Sequence, residues 1–204
     1  MILVVETATA ACSAALIDGA TLVDERHEIV GRGHAERLLP LVEDLLAGRR
    51  PDAILVDVGP GSFTGVRVGL AAAQGLRIGW NVPLAGYSST AILAAAAPGG
   101  DVAIAIAGGH GQLFVQSYRH DPLAPLDALR SLAPEEAAQV IRAERVFGSG
   151  AAALVAACGR GEAIDALPRA ADALLLPAAL RSLPPRPIYG RPPDARPQNP
   201  EPTP

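Results

Sequence analysis

The 204-residue chain contains no lysine, and all 17 of its basic residues are arginine. That excludes a Walker-type phosphate loop, a Schiff-base lysine and a kinase-type phosphate lysine. Cysteine is nearly as scarce. Cys12 and Cys158 stand far apart with no C-x-x-C spacing, so neither a thiolate zinc site nor a redox pair is expected. The histidines 27, 34, 110 and 120 form no H-E-x-x-H or H-x-x-x-H pair, which argues against a metal centre. No apolar run approaches the roughly 18 residues that a membrane-spanning helix requires. The first residues, Met1-Ile2-Leu3-Val4-Val5-Glu6, lack a basic region and meet a carboxylate at once. No secretory signal is therefore read there, and a cytoplasmic location with no membrane contact is the expectation. Aromatic residues are only 3% and charged residues 19%, against 50% apolar, so a folded core is expected and a disordered chain is excluded. A net charge of −4 leaves no general basic surface for nucleic acid, so any RNA or DNA contact would need a local patch or a basic partner.

What is present reads as three strands followed by alternating helix and strand. Apolar runs at 2–6 and 12–17 precede the hairpin dipeptide Asp18-Gly19, and residues 21–28 give a third strand. Residues 33–48 place Leu38, Leu39, Leu41, Val42, Leu45 and Leu46 at helical spacing, with Gly48 as a stop. A buried-type strand at 53–58 feeds a glycine-rich loop and a long helix to about Trp80. A strand at 83–86 and a helix at 88–97 close this half. Pro98-Gly99-Gly100 marks the domain boundary, giving units 1–98, 99–183 and a proline-rich tail 184–204. In the second unit, strands are expected at 102–107, 113–118 and 145–147. Helices are expected at 134–143, 151–158 and 170–183. Nine of the last 21 residues are proline, so the tail is extended or disordered, and no tandem repeat is visible. This is the element order of a ribonuclease-H-like half with a second, smaller half after it.

Two places could carry function. Strand, glycine-rich loop and helix N-terminus is the geometry that cradles an anion. Gly59, Gly61, Ser62, Thr64, Gly65 and Arg67 form that candidate loop, with Ser62 or Thr64 as N-cap and Arg67 as its only cation. A tight packing turn is the equally weighted alternative. Pro60 occupies the glycine position of a G-x-S-x-G elbow, which leaves a serine hydrolase unsupported. His34, beside Glu36 and Arg37, reads as a cap or surface residue, and His110 as a turn residue. The second place is the helix pair, where apolar positions spread beyond the stripe needed to cover one sheet face. Gly65, Gly69 and Ala73 add a ridge of small residues. Leu38, Leu41, Val42 and Leu45 with Val66, Leu70 and Ala73 are the candidate partner surface, core burial being the alternative.

Specific stretches resemble the TsaB (YeaZ) family of tRNA threonylcarbamoyladenosine biosynthesis. They are Ile2-Leu3-Val4-Val5-Glu6-Thr7-Ala8-Thr9 with Cys12-Ser13, then Gly33-His34-Ala35-Glu36-Arg37-Leu38-Leu39-Pro40. Gly59-Pro60-Gly61-Ser62-Phe63-Thr64-Gly65-Val66-Arg67-Val68-Gly69 is the most specific, followed by Gly75-Leu76, Tyr87-Ser88-Ser89 and Pro187-Ile188-Tyr189-Gly190-Arg191. The resemblance implies an actin/Hsp70-like, ribonuclease-H-like α/β fold of two lobes, the second reduced. It also implies a non-catalytic subunit that pairs with the catalytic TsaD on the two helices above. TsaE, an ATPase, and tRNA would be reached only through that pair, and the chain would self-associate when TsaD is absent. No cofactor is implied beyond vestigial nucleotide binding. Glu6 and Ala8 replace the family's usual Asp and Ser in the first turn, and Ala107-Gly108-Gly109 stands where many members carry Asp-Ala-Arg. Where TsaD carries its H-x-x-x-H metal pair, this chain has Tyr87-Ser88-Ser89. An actin-like ATPase or kinase acting alone and a peptidase are the rival readings. The first is disfavoured by Glu6 and the short second half, the second by the lack of a nucleophile or metal site.

Overall fold

The computed structural model describes residues 1–190. Arg191 and the rest of the proline-rich tail lie outside the described residues. The first lobe opens with an antiparallel meander, β1 (Ile2–Glu6), β2 (Ala11–Asp18) and β3 (Thr21–Ile29). Gly19, at φ +58°, turns the β2–β3 hairpin. Helix α1 (His34–Leu46) leads to β4 (Ala53–Asp57), which lies parallel to β1. Helix α2 (Phe63–Trp80) then leads to β5 (Leu84–Tyr87), parallel to β4, and α3 (Ser89–Ala96) follows. The sheet order is β3-β2-β1-β4-β5.

The second lobe repeats this plan. Strand β6 (Val102–Ala107) pairs antiparallel with β7 (Leu113–Arg119), which carries the short strands β8 (Ala124–Pro125) and β9 (Arg130–Leu132) on its other edge. Helix α4 (Pro134–Val140), β10 (Arg145–Phe147), α5 (Ala151–Cys158) and β11 (Glu162–Ile164) complete it, with β10 parallel to β6 and to β11. Both sheets therefore have one topology, the ribonuclease-H-like unit that an actin-like protein carries twice. The second copy is reduced because strands β8–β11 are only two or three residues long. No sequence repeat marks this duplication.

Alternation along β1 sets the layers. Leu3 and Val5 point to α1 and α2, whereas Val4 points to α3 and the second lobe. One apolar cluster joins Val4, Ile17, Leu55 and Tyr87 of the first lobe to Ile104, Ile106, Phe114 and Phe147 of the second. The lobes thus share a core and are not two beads on a linker. The far face of the second sheet is covered by α4 and α5 through Ala137, Ile141 and Leu154.

Three expectations are corrected. Residues 170–183 are not one helix but two 3₁₀ turns, Ala170–Leu175 and Ala178–Leu180. Pro177 separates them, and the residue before it, Leu176, is forced into an extended conformation at φ −72°, ψ 130°. The first turn docks across the lobes. Its Ala170 N–H donates to Ser13 Oγ at 3.1 Å, Ala171 N–H to Glu25 Oε1 at 3.2 Å, and Arg169 pairs with Glu25. Helix α4 stops at Val140 because Ile141 turns extended and buries its side chain under the second sheet. Strands β8, β9 and β11 escaped the sequence because each is shorter than the window in which periodicity can be seen.

Candidate functional site

The acid of the first turn is buried, not presented. Parallel pairing sets Val5 beside Val56, so the next residues, Glu6 and Asp57, leave adjacent strands side by side. Both are at most 1% exposed, and their carboxyl groups lie close enough to perturb each other. Asp57 Oδ1 accepts from Gly59 N–H at 2.5 Å and Ser89 Oγ at 2.8 Å, whereas its buried Oδ2 has no hydrogen-bond donor among the described residues. Glu6 Oε1 accepts from Ala8 N–H at 2.9 Å, and Tyr87 Oη lies 3.1 Å from Oε2. Burial, followed by the neighbouring Asp57 charge, pushes Glu6 well above the usual carboxylate range, so the pair holds a proton. Tyr87 is itself pushed up by burial and by these acids. This cluster was not singled out from the sequence. It depends on the register of β1 against β4, which no local pattern shows.

The glycine-rich loop is filled by the chain itself. A Cβ on Gly61 would overlap the Ala8 carbonyl, and one on Gly65 would overlap the Thr7 carbonyl. Ser62 N–H donates to Ala8 O at 2.6 Å, Gly65 N–H to the capping Ser62 Oγ at 3.2 Å, and Thr7 Oγ1 to Gly65 O at 2.8 Å. Two carbonyl oxygens thus stand where a phosphate would need donors, and they carry the wrong sign for an anion. Gly59, at φ +94°, seats the Ile188 carbonyl. Thr64 is exposed, and Arg67 lies over Phe63, 3.3 Å from the ring centroid, away from the loop. The six candidate loop residues therefore do not form an open cradle here. Their small size serves the docking of the first turn, the packing alternative raised by the sequence. His34 is buried, and its Nε2–H donates to Ala11 O at 3.0 Å.

The helix pair is also turned differently from the expectation. Leu38, Leu41, Val42 and Leu45 are 0–4% exposed and pack on the first sheet, as do Val66, Leu70 and Ala73. These seven residues are the chain's own core. Their spacing is the stripe that covers a sheet, so the sheet claims them. The ridge of Gly65, Gly69 and Ala73 faces inward too, with Gly69 against the Thr7 side chain. The apolar surplus lies on the outward side. There Ala35, Leu39, Val68, Ala71, Ala72, Gly75 and Leu76, with the edge of Leu38, line an open groove of about 450 Å³ between α1 and α2. Leu39 is 51% exposed, and nothing approaches the position a Gly75 Cβ would take.

Among the described residues, no three His, Cys, Asp or Glu side chains are placed to hold a metal ion, and no helix is long and apolar enough to cross a membrane. Residues 26–157 match the family model described as TsaD, tRNA N6-adenosine threonylcarbamoyltransferase. The chain is 42% identical to the tRNA threonylcarbamoyladenosine biosynthesis protein TsaB of Escherichia coli strain K12, over 46% of this chain and 42% of that protein. It is 39% identical to TsaB of Haemophilus influenzae, over 47% of this chain and 42% of that protein. The chain thus spans less than half the length of these two relatives. The crystal structure of YeaZ from Pseudomonas aeruginosa superposes at a TM-score of 0.76 with 29% identity, over 92% of this chain and 98% of that one. With this architecture and these likenesses, the chain belongs to the TsaD-related TsaB (YeaZ) family.

Proposed function

We propose that the chain acts in tRNA threonylcarbamoyladenosine biosynthesis as a non-catalytic subunit that docks on a catalytic TsaD through the outward groove between α1 and α2. One observation carries this reading. The groups that would do chemistry at the ends of β1 and β4 are turned inward and buried, while an apolar surplus faces solvent on a neighbouring helix pair. Glu6 is neutralised by sharing a proton with Asp57, and the loop that would cradle phosphate is closed by Thr7 and Ala8. Among the described residues, this turn and loop offer neither a free carboxylate base nor an open anion cradle, whereas the helix pair offers a surface. The names of its relatives supply the pathway, and the outward groove supplies the place of contact. TsaD would move the threonylcarbamoyl group from its adenylate onto N6 of the adenosine beside the anticodon, with AMP as the leaving group, and TsaE and tRNA would join through the pair. When TsaD is absent, the same groove would cover a second copy. The subunit works in the cytoplasm, where its tRNA is. The test is a tRNA modification assay supplied with threonylcarbamoyl adenylate, with TsaD, TsaE and this chain each omitted in turn. Modified tRNA is expected only when TsaD and this chain are both present. Modification by this chain alone would overturn the reading.

A further inference from the structure

The segment after the last 3₁₀ turn runs from β5 of the first lobe to the Phe114 ring of the second. Leu183 exchanges two hydrogen bonds with Gly86 of β5, at 2.7 and 2.9 Å. Ile188 N–H donates to Val58 O at 2.7 Å, and Gly190 ends against the Phe114 ring in the second lobe. Glycine stands at each close approach. A Cβ on Gly59 would lie 2.8 Å from Ile188 O, one on Gly190 2.8 Å from Phe114, and one on Gly86 3.3 Å from Leu183 O. The seat is therefore built for this segment. Its outer end is held by Arg67 of α2, whose Nη2 donates to Tyr189 Oη at 2.8 Å. The same guanidinium lies 3.3 Å from the centroid of Phe63 and 5.3 Å from that of Tyr189.

What holds the segment is nevertheless slight. None of residues 183–190 is buried, Tyr189 is 40% exposed and Phe63 60%. Pro184, Pro185 and Pro187 have no N–H to donate, and Arg186 N–H turns back on Pro184 O. Three backbone bonds to the body, the half-buried packing of Leu183 and Ile188 on the first-lobe core, and the Arg67 contacts to Tyr189 are thus the fastenings. Proline keeps the released segment extended, so little chain entropy is lost when it settles again. A weak seat and a stiff, pre-shaped occupant are the properties of a part that lifts and returns.

We propose that residues 183–190 are a releasable strap over the ends of β4 and β5, with Arg67 as its latch. Lifting it frees the Gly86 edge of β5 and uncovers the Val58–Gly59 turn next to Asp57. The lobes stay together as it opens, because their shared core does not include it. Strap opening is independent of the partner assignment.

Hydrogen exchange on the full chain tests this. The amides of Gly86, Leu183 and Ile188 should exchange together, at least about 100-fold faster than those inside β1 and β4, and with little dependence on low denaturant. Arg67→Ala should speed the same three amides roughly tenfold, from loss of a charged hydrogen bond and a cation–π contact. The control Arg77→Ala, near the other end of α2, should leave them unchanged. Tyr189→Phe, which removes only the hydroxyl, should give a smaller acceleration and serves if Arg67→Ala does not fold. Exchange of the three amides at the core rate with the core's denaturant dependence, or no acceleration in either latch variant, would overturn the strap.

Discussion

Replacing Glu6 by Gln should make the protein less sensitive to rising pH. In the folded chain the Glu6–Asp57 pair holds a proton because burial, and then the Asp57 charge, raise Glu6 well above its ordinary value of 4.5. Unfolded, Glu6 releases that proton above pH 4.5. The folded state therefore binds more protons, and its stability falls as pH rises, by about 1.4 kcal/mol per pH unit for one proton. The contribution is complete below pH 4.5 and is lost progressively until the folded pair itself ionises. Gln at this position is neutral in both states, can donate its amide to Asp57 Oδ2 and can still accept from Ala8 N–H. Urea unfolding of native protein and Glu6→Gln at pH 4.5, 5.5, 6.5 and 7.5 should show stabilities that differ least at the lowest pH. From there the variant should gain on the native chain, by at most about 1.4 kcal/mol per unit, until the folded pair itself ionises. Glu6→Ala should instead be less stable than the native chain at pH 4.5, since it strands the Ala8 amide at about 1–3 kcal/mol. Equal pH slopes for native protein and Glu6→Gln would refute the shared proton.

The two faces of α1 should separate cleanly in stability measurements. Leu41→Ala, at 4% exposure, should cost about 2–5 kcal/mol, and Leu39→Ala, at 51%, no more than about 0.5 kcal/mol. Gly65→Val should lower the urea midpoint markedly or prevent folding, because its side chain would overlap the Thr7 carbonyl; an unchanged midpoint would mean that the first turn does not pack there. Burial, then Glu28, pushes the Cys12 thiol up to about 11, so at pH 8 a thiol reagent should label Cys158 readily and Cys12 only on unfolding.

Much of the architecture could be read from the chain because its signals are local. The hairpin at Gly19, the Ser62 cap and the stops after α1 and α2 each depend on a few neighbouring residues. What could not be read depends on contacts between distant elements. Periodicity shows that α1 has an apolar stripe but not what covers it, so Leu38, Leu41, Val42 and Leu45 read as surplus although the sheet takes them. Only after that assignment do Leu39, Val68, Ala72 and Leu76 stand out as the residues left over. The glycines of the βα loop announce a close approach, but the approaching group comes from the first turn. Glu6 reads as a turn exchange that counts against nucleotide binding, and its neighbour Asp57 as one residue of a buried-type strand at 53–58. Their meeting is a consequence of register.

The outward groove is the centre of the functional reading, and a titration of TsaD with native chain and with Leu39→Glu tests it most directly. Position 39 is half exposed, so the variant should unfold at the native urea midpoint. Losing one buried leucine forfeits about 1.5–3 kcal/mol, and an unpaired charge in the interface adds to that, so affinity for TsaD should fall at least about tenfold. Unchanged affinity in the folded variant would contradict the account and place the TsaD contact away from α1 and α2.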